Sequence, residues 1–512
     1  MLRPHRRIES AAVHVTGLAV LAIATAAAVS VLVELAYGDD DWLELGMATV
    51  LLAVVGLGLW SASAPTERGG RARSAVVAVG AAWLSISVAA AVPYVATGVL
   101  DWDLALFESV SGLTGTGSTV LSPIEGNTHG LLFYRQLTQW VGGMGVVVLA
   151  VAVLPFLGVG GLELFRAESP GPTSDQLVPR VSDTARRLWS IYVGLTGLST
   201  VLLLAAGMGP YDAVGHAATA VGTGGFSPYN DSIAHFDSVL VELAVMASMF
   251  LGAVKFPLFY LAIRRRDLRV FWRSSEFRFF LWLAGGSTVL LSVLNRADGM
   301  ALPTALRHSA FNVVSLMSSC GFGTADFTRW VPATQIVLLF LMVTGAMAGS
   351  TSGALKLFRV QVVGKQAWRE IRRVRRPAGV FPIRLGGDVV PEDIVRSVLG
   401  YVMTYFLVAV AGIVMLSAFG ADLATSAGSV ITAMGGVGPG LGETGPASNF
   451  LVLDGAQRGL LISLMLLGRL EIFPLVLFAL ALAGGRGPRR VSRASGRRGP
   501  VGSSAPTVRG RH

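Results

Sequence analysis

Four glycines in this chain stand in equivalent sequence contexts, and their surroundings give the first sign of a chemical site. They are Gly117, Gly225, Gly321 and Gly438. Six residues before each one stands a hydroxyl side chain, and these four are Ser111, Thr219, Ser315 and Thr432. Glycine reaches, without steric cost, the backbone angles that turn successive carbonyl groups to one side. Four such stretches around one axis would surround a cation with backbone oxygens in place of its hydration water.

Each glycine follows a segment that is compatible with a short helix. A helix that enters from outside points its partially negative carboxyl end toward the membrane centre, which favours a cation there. The residues predicted to bind the ion are Thr116, Gly117, Ser118, Gly224, Gly225, Phe226, Cys320, Gly321, Phe322, Val437, Gly438 and Pro439. The four hydroxyls are expected to tie each helix to its surroundings. Alternatively, glycine is simply common, with 62 in the chain, but four copies in register favour a selectivity filter.

The composition places the chain in a membrane. Of its 512 residues, 53% are hydrophobic and 14% are charged, whereas soluble proteins carry about a quarter charged residues. Apolar blocks of roughly twenty residues recur, each long enough to cross about 30 Å of hydrocarbon. The first block, 11–33, is too long for a good signal peptide and predicts a retained helix. One cysteine, Cys320, excludes an intrachain disulfide and a cysteine-based metal cluster.

Clusters of arginine flank the apolar blocks and indicate the orientation of the chain. The formal charge is +10, and the basic clusters lie at 3–7, 68–73, 264–273, 369–376 and 486–498. Cytoplasmic loops carry such an excess of positive charge. We therefore expect a multi-pass protein of the inner or plasma membrane with both termini in the cytoplasm. Nucleic acid is not an expected partner, because no soluble module is long enough to present a basic face.

The apolar blocks predict an all-α membrane protein of ten spans. The spans are 11–33, 45–64, 74–100, 137–157, 188–208, 239–263, 279–294, 334–355, 397–419 and 459–483. The last four pairs each enclose a segment of irregular backbone, which is tolerated at membrane depth only inside protein or along a watery cavity. We predict four tandem helix–pore-loop–helix repeats around a central pore, plus an N-terminal two-helix hairpin. The divisions are 1–73 (hairpin), 74–160, 161–265, 266–375 and 376–485 (repeats 1 to 4), and 486–512 (a basic disordered cytoplasmic tail).

These motifs resemble the Trk/Ktr/HKT superfamily of potassium transporters, specifically its TrkH-type membrane subunit. The resemblance covers about residues 10–485, with pore loops at 107–123, 221–228, 318–326 and 436–442. The additional hairpin favours the TrkH type over the KtrB type. The resemblance implies potassium uptake, a homodimer, and gating by a cytosolic RCK-type nucleotide-binding subunit. It implies no bound cofactor, with K⁺ as the transported ion, and glycine rather than serine at Gly117 favours potassium over sodium.

A stretch of small and hydroxyl residues interrupts the apolar block at 334–355. Such residues make a weak helix, and on their own they fit either a gate or a close helix contact through small side chains. In the family the equivalent stretch forms an intramembrane gating loop. The matching residues here are Gly345, Ala346, Met347, Ala348, Gly349, Ser350, Thr351, Ser352 and Gly353.

Arg469 lies deep within the last apolar block. It precedes Gly484 by roughly 20 Å along a helix, and a charge at that depth is a functional candidate by default. The alternative is a buried pair with Glu471, although residues two apart do not face each other on a helix. The family places the matching arginine in the conduction path beneath the filter, where it restrains ion passage.

Other polar residues receive weaker interpretations. Lys255 is expected either to pair with Glu242 or to extend to the membrane surface, and Lys356 to lie at the inner mouth or membrane edge. Cys320 stands where relatives usually have a hydroxyl, which would change filter rigidity or selectivity. Residues 440–445 satisfy the pattern G-x-G-x-x-G, but no strand precedes them, so we reject a nucleotide site. We see no metal-ligand spacing and no nucleophile with a base, and we predict that the chain is not an enzyme.

Two rival functions remain open at this stage. A cation-coupled secondary transporter, carrying K⁺ with H⁺ or Na⁺, would predict inverted repeats around a midplane site, whereas these four copies enter from one side. A non-conducting membrane regulator would keep the fold without the ion path.

Overall fold

The computed structural model describes residues 4–63, 72–152 and 181–472. Its helices are α1 (Pro4–Tyr37), α2 (Trp42–Ser61), α3 (Ala72–Ala96), α4 (Trp102–Thr114), α5 (His129–Ala152), α6 (Val181–Ala205), α7 (Pro210–Gly222), α8 (Val239–Ala253), α9 (Phe256–Arg265), α10 (Arg269–Arg273), α11 (Ser275–Ala297), α12 (Leu302–Met317), α13 (Pro332–Thr344), α14 (Leu357–Arg375), α15 (Glu392–Ala418), α16 (Leu423–Gly435) and α17 (Gly455–Arg469). Short 3₁₀ turns lie at Ser232–Phe236, Phe327–Arg329, Gly442–Thr444 and Phe450–Val452. The predicted disordered tail lies outside the described residues.

The N-terminal hairpin is formed by α1 and α2, which approach closely at small residues. A Cβ on Gly17 would lie 2.6 Å from the backbone nitrogen of Trp60, and one on Gly56 would lie 2.9 Å from the side chain of Leu21. Glycine at such crossings allows membrane helices to pack backbone against backbone. The hairpin then packs against α3 and α5, so it is fastened to the first repeat.

Four helix–pore-loop–helix repeats follow the hairpin, each with a short middle helix that we call the pore helix. Repeat 1 contains α3, α4 and α5; repeat 2 contains α6, α7 and α8; repeat 3 contains α11, α12 and α13; repeat 4 contains α15, α16 and α17. Six described helices are long and apolar enough to cross a membrane, or seven if the bent pair α8–α9 counts as one span. The predicted all-α membrane fold is confirmed, and the domain boundaries stay a prediction.

Three of the expected spans are not continuous helices. The span predicted at 239–263 bends by 92° between α8 and α9. Pro257 lies in the first turn of α9. A proline has no N–H to donate, and its ring would clash with the carbonyl of Ala253 four residues earlier in a continuous helix, so the helix of α8 cannot run on into α9. The span predicted at 334–355 ends as a helix at Thr344, and Gly345 after it has a φ of 65°. The helix of the span predicted at 459–483 ends at Arg469, and Glu471 shortly after it has a φ of 59°. The far ends of this span and of the span at 137–157 lie outside the described residues.

The linker between repeats 3 and 4 has its own small core. Two strands, β1 (Arg384–Leu385) and β2 (Asp388–Val389), pair antiparallel with Arg384 opposite Val389. They pack with α14 and the start of α15 around buried Phe358, Val362 and Ile383. The linker is therefore a folded segment that joins the end of repeat 3 to the start of repeat 4.

Candidate functional site

The four predicted filter strands share one backbone conformation. Two residues before each filter glycine, the chain turns through the left-handed region, with φ values between 53° and 67° at Gly115, Thr223, Ser319 and Gly436. The filter glycines themselves have φ values of 81°, 78°, 88° and 108° in the order of the repeats. Only glycine adopts such angles without strain. The residues aligned by sequence are therefore equivalent in backbone geometry.

The filter glycines form a closed ring. In each repeat, the position where a Cβ would stand on the glycine points at the carbonyl oxygen before the glycine of the next repeat. The separations are 2.1 Å from Gly117 to Gly224, 2.0 Å from Gly225 to Cys320, 1.9 Å from Gly321 to Val437, and 3.0 Å from Gly438 to Thr116. A real Cβ cannot approach a carbonyl oxygen to 2 Å, so three of the four contacts require glycine. The order of contacts places the four strands around one axis.

The residue six positions before each glycine makes the same backbone hydrogen bond in all four repeats. Its carbonyl accepts a hydrogen bond from the N–H of the residue before the glycine, and the distances are Thr116 to Ser111 2.9 Å, Gly224 to Thr219 2.9 Å, Cys320 to Ser315 3.0 Å, and Val437 to Thr432 3.2 Å. This bond joins each pore helix to its filter strand.

The hydroxyls of those residues are not equivalent, which corrects the expectation that all four tie the pore helix to its surroundings. Ser111 and Ser315 donate to the carbonyl after the filter glycine, at 2.6 and 2.7 Å. Thr219 instead donates to a carbonyl of its own helix, at 3.2 Å. The Thr432 hydroxyl has no hydrogen-bond partner within the described part of the chain. The hydroxyl therefore supports the filter in the first and third repeats only.

Several side chains of the predicted filter strands are buried. Phe226, Cys320, Phe322 and Val437 are each 1% exposed or less, which leaves their backbone as the part available to an ion. The Cys320 sulfur lies 3.8 Å from the carbonyl of Thr219. On the side from which the pore helices enter, the four strands open into one cavity of about 280 Å³.

The stretch predicted as a gate packs directly beneath the ring. Thr351 donates its hydroxyl to the carbonyls of Val221 and Gly252, at 2.8 and 3.1 Å. The Gly353 N–H donates to the Ser319 hydroxyl at 2.7 Å. A Cβ on Gly353 would lie 2.2 Å from the carbonyl oxygen of Gly435. The loop therefore touches the carboxyl ends of the second, third and fourth pore helices.

Arg469 lies beneath the first pore helix, and the loop contacts the other three. Its guanidinium donates to the carbonyls of Thr351 at 2.9 Å and Gly142 at 3.2 Å, and it lies beneath Gly115 at the end of the first pore helix. It is 7% exposed. The alternative of a pair with Glu471 is wrong, because that carboxylate accepts from Arg359 at 2.9 Å. Arg469 and the loop together lie under all four pore helices.

The two lysines near the gate are placed differently from one another. The suggested pairing of Lys255 with Glu242 is wrong: Lys255 lies 3.8 Å from Glu276, while Glu242 accepts from Arg307 at 2.7 and 2.8 Å. Lys356 donates to the carbonyls of Ser350 and Ser352. Lys356 therefore hydrogen-bonds the backbone of the loop and does not stand at a membrane edge.

Comparison with known proteins accords with this geometry. The TrkH family model, described as a cation transport protein, matches residues 46–484. This chain belongs to the TrkH family of cation transport proteins. The Trk system potassium uptake protein TrkH of Halomonas elongata is 36% identical over 450 residues, which cover 87% of this chain and 93% of that protein. The TrkH of Escherichia coli K12 is 35% identical over 468 residues, covering 90% and 96%.

A solved member of the family has the same fold. The crystal structure of the potassium transporter TrkH from Vibrio parahaemolyticus matches with a TM-score of 0.84 and 31% identity, over 93% of this chain and 98% of that one. The transport family names also agree with the prediction that this chain is not an enzyme.

Sequence reasoning missed three polar side chains behind the filter. Arg135 and Glu108 form a buried ion pair with 2.6 Å between Nε and Oε1, and they are 2% and 0% exposed. Gln139 is fully buried and binds the filter strand of repeat 2. A signal was present, because Arg135 follows the apolar run 131–134, and an ionisable residue in a membrane helix is a functional candidate. Its partner could not be read from the spacing.

Proposed function

We propose that this chain mediates potassium uptake across the cell membrane through a channel-like pore. Dehydrated K⁺ binds the backbone carbonyls around Gly117, Gly225, Gly321 and Gly438, which replace its hydration shell. The observation that carries the proposal is the closed ring, in which each glycine contacts the strand of the next repeat. The names of the relatives, which are potassium uptake proteins, support the choice of ion.

We propose that the 345–353 loop is the gate and that Arg469 restricts the pore. The support is their position: the loop contacts three pore helices, and Arg469 contacts both the loop and the helix that follows the first filter strand. A fixed positive charge beneath the filter opposes the passage of a cation until the loop and the arginine move.

The proposed orientation has both termini in the cytoplasm and the filter cavity outside. The basic clusters support it through the positive-inside rule. Acidic residues near the pore-helix entrance, among them Asp101 and Asp422 at the N-caps of α4 and α16, would attract cations. We also propose a homodimer and gating by a cytosolic RCK-type subunit, both of which rest on the family resemblance. The basic linkers would either dock that subunit or contact anionic lipid.

Potassium-limited growth tests the proposal. The wild-type chain, expressed in a host that lacks its own potassium uptake, is expected to restore growth at low K⁺, with and without the cytosolic subunit compared in parallel. Gly321→Ser should abolish the rescue, because a Cβ there would lie 1.9 Å from a backbone oxygen. Gly323→Ser is the matched control two residues away, where the nearest atom to a new Cβ is 3.9 Å distant.

The rival functions give different outcomes. Current steps from the purified protein in a planar bilayer support the pore, whereas saturating flux strictly coupled to H⁺ or Na⁺, without steps, supports a secondary transporter. Uptake that is unchanged by Gly321→Ser points to a non-conducting regulator. For the gate, Arg469→Gln should raise the rate of rubidium uptake at equal protein amount, and a lower rate would contradict the assigned role.

A further inference from the structure

The filter strand of repeat 2 differs from the other three in its sequence. The residue before the filter glycine is Thr116, Cys320 or Val437 in repeats 1, 3 and 4, and each of these is 0% exposed. In repeat 2 that residue is Gly224, followed directly by Gly225. A pair of glycines has more accessible backbone conformations than any other pair. This strand therefore has no side chain of its own to hold the peptide plane between the two glycines.

A side chain from another repeat occupies the missing space. A Cβ on Gly224 would lie 2.3 Å from Cδ and 2.5 Å from Oε1 of Gln139. Gln139 belongs to α5, the last helix of repeat 1, and is 0% exposed. Its amide therefore stands where the other repeats place the buried side chain that precedes the glycine.

The Gln139 amide also binds the backbone on both sides of the filter glycine. Its Nε2 donates to the carbonyl of Gly224 at 2.6 Å, and its Oε1 accepts from the N–H of Phe226 at 2.9 Å. One rigid planar amide thus fixes two peptide groups that flank Gly225. No comparable side-chain clamp on both flanks of a filter glycine is present in the other three strands of the described structure.

Arg135 adds a second anchor one helical turn earlier on α5. Its Nη1 donates to the carbonyl of Ser227 at 2.9 Å, and its guanidinium lies 3.6 Å from the centre of the Phe226 ring. Glu108 holds Arg135 from the other side. The strand from Gly224 to Ser227 is therefore bound at three of its peptide groups by two residues of one helix face.

We propose that Gln139 is a selectivity-determining positioning residue. From repeat 1 it replaces the side chain that repeat 2 lacks, and it thereby fixes the filter carbonyls of repeat 2. The proposal rests on the proposed function, since it concerns discrimination among cations by the filter. Carbonyls held in place favour the ion whose size they match, and carbonyls free to turn accommodate other ions.

The first experiment compares two glutamines on α5. Gln139→Leu keeps the approximate shape and removes both hydrogen bonds. Gln136→Leu is the matched control, because Gln136 is 1% exposed and its amide has no hydrogen-bond partner among the described residues. With K⁺/Na⁺ permeability ratios measured in bilayers, Gln139→Leu should lower the ratio about tenfold, which corresponds to about 1.4 kcal/mol of discrimination between the two ions. Gln136→Leu should leave the ratio at the wild-type value.

The second experiment exchanges the roles of the two positions. Gly224→Val supplies the side chain found in repeat 4, and as a single variant it should lower the K⁺/Na⁺ ratio because it clashes with Gln139. Gln139→Ala as a single variant should also lower the ratio, because it leaves the strand unsupported. The double variant Gly224→Val/Gln139→Ala should recover a higher K⁺/Na⁺ ratio than either single variant. A double variant no better than the worse single one would overturn the replacement of one side chain by the other.

A readout without transport covers variants that conduct poorly. An ion bound only by the folded filter raises the melting temperature, so purified wild-type protein should melt higher in KCl than in NaCl. Gln139→Leu should shrink this difference while Gln136→Leu preserves it. If both variants change the ratio and the melting difference equally, or neither does, Gln139 has no special role. If the wild-type chain shows neither uptake nor K⁺-specific stabilisation, the proposed function itself fails.

Discussion

The filter has one backbone ring but two kinds of support. In repeats 1 and 2, the residue nine positions before the filter glycine reaches a hydroxyl two positions after it: Glu108 accepts from Thr119 at 3.0 Å, and His216 lies 3.1 Å from Ser227. In repeats 3 and 4 the residue two positions after the glycine is itself a glycine. The corresponding residue of repeat 3, Asn312, donates to its own helix at 2.9 Å, and that of repeat 4, Ser429, bonds the Thr444 hydroxyl at 2.8 Å, six positions after the glycine.

An apolar cluster that includes part of the gate loop lies behind the second half of the ring. Val313, Leu316, Val437 and Leu441 belong to one buried cluster that also contains Met347 of the gate loop. Hydrogen bonds are directional, whereas apolar contact is not. We infer that repeats 1 and 2 hold the ring in place, while repeats 3 and 4, which carry the loop and Arg469, allow movement beneath it. Four pairs of substitutions sharpen or break this comparison.

The largest effect is expected at the ring itself. Gly117→Ala places a Cβ 2.1 Å from a carbonyl oxygen of repeat 2, whereas Gly438→Ala meets the nearest oxygen at 3.0 Å. Both residues also have positive φ, so both changes add strain of about 1–3 kcal/mol. Gly117→Ala should abolish potassium uptake, and Gly438→Ala should leave a measurable fraction. Equal loss in a rubidium uptake assay would show that the two junctions are equally tight.

The second-largest effect is expected at the buried Arg135–Glu108 ion pair, compared with Asn312 in repeat 3. Arg135→Leu leaves Glu108 buried without its cation and should lower the free energy of unfolding by about 3–5 kcal/mol. Asn312→Leu, at the position of repeat 3 that corresponds to Glu108, should cost about 1 kcal/mol, the value of an ordinary hydrogen bond. Thermal unfolding of the purified variants in detergent measures both. Similar losses at the two positions would remove the distinction between the halves.

A smaller effect concerns the hydroxyls six residues before the glycines, which divide the ring differently. Ser111→Ala removes the 2.6 Å bond to the Ser118 carbonyl and should cost about 1 kcal/mol. Thr432→Val should be close to neutral, since that hydroxyl has no partner within the described residues. Unfolding midpoints of the two variants, compared with wild type, decide this. A larger cost at Thr432 would indicate a partner for that hydroxyl after all.

The smallest effect is at the pore-helix caps. Asp422 accepts from the N–H groups of Ala424 and Thr425 at 2.8 and 3.1 Å, while Asp101 makes no side-chain cap bond. Asp422→Ala should therefore cost about 0.5–1 kcal/mol, and Asp101→Ala should cost less. The comparison by thermal unfolding at neutral pH uses the same substitution on two pore helices.

The same cap has a defined pH dependence. Hydrogen bonds from the Thr425 hydroxyl and backbone N–H hold the pKa of Asp422 below its ordinary value of 3.8. A lowered pKa in the folded state means that the stabilisation is complete above that ordinary value and is lost as the pH falls through the folded one. The difference between wild type and Asp422→Ala should accordingly vanish in acid. A difference that persists at the lowest pH would contradict the assignment.

The amino-acid sequence by itself determined the membrane class, the hairpin and the register of the four repeats. These depend on local properties: the length of apolar blocks, and a glycine at a fixed distance from a hydroxyl within one short segment. For the same reason the weak helical character of 345–353 was visible, because small and hydroxyl residues weaken a helix wherever they stand, but the sequence alone left a gate and a close helix contact equally open. Arg469 was identifiable because a charge deep in an apolar block is visible without knowing its partners.

Only the tertiary structure decided which residues support the filter. Gln139 binds Gly224, 85 residues away, and Arg135 binds Ser227, 92 residues away. The partners of Lys255 and Glu471, and the unequal roles of Ser111 and Thr432, were equally hidden from the sequence. A hydrogen bond requires its atoms to lie within about 3.2 Å at a suitable angle. Spacing along a chain does not encode such distances between separate segments, and the packing of the repeats around one axis creates them.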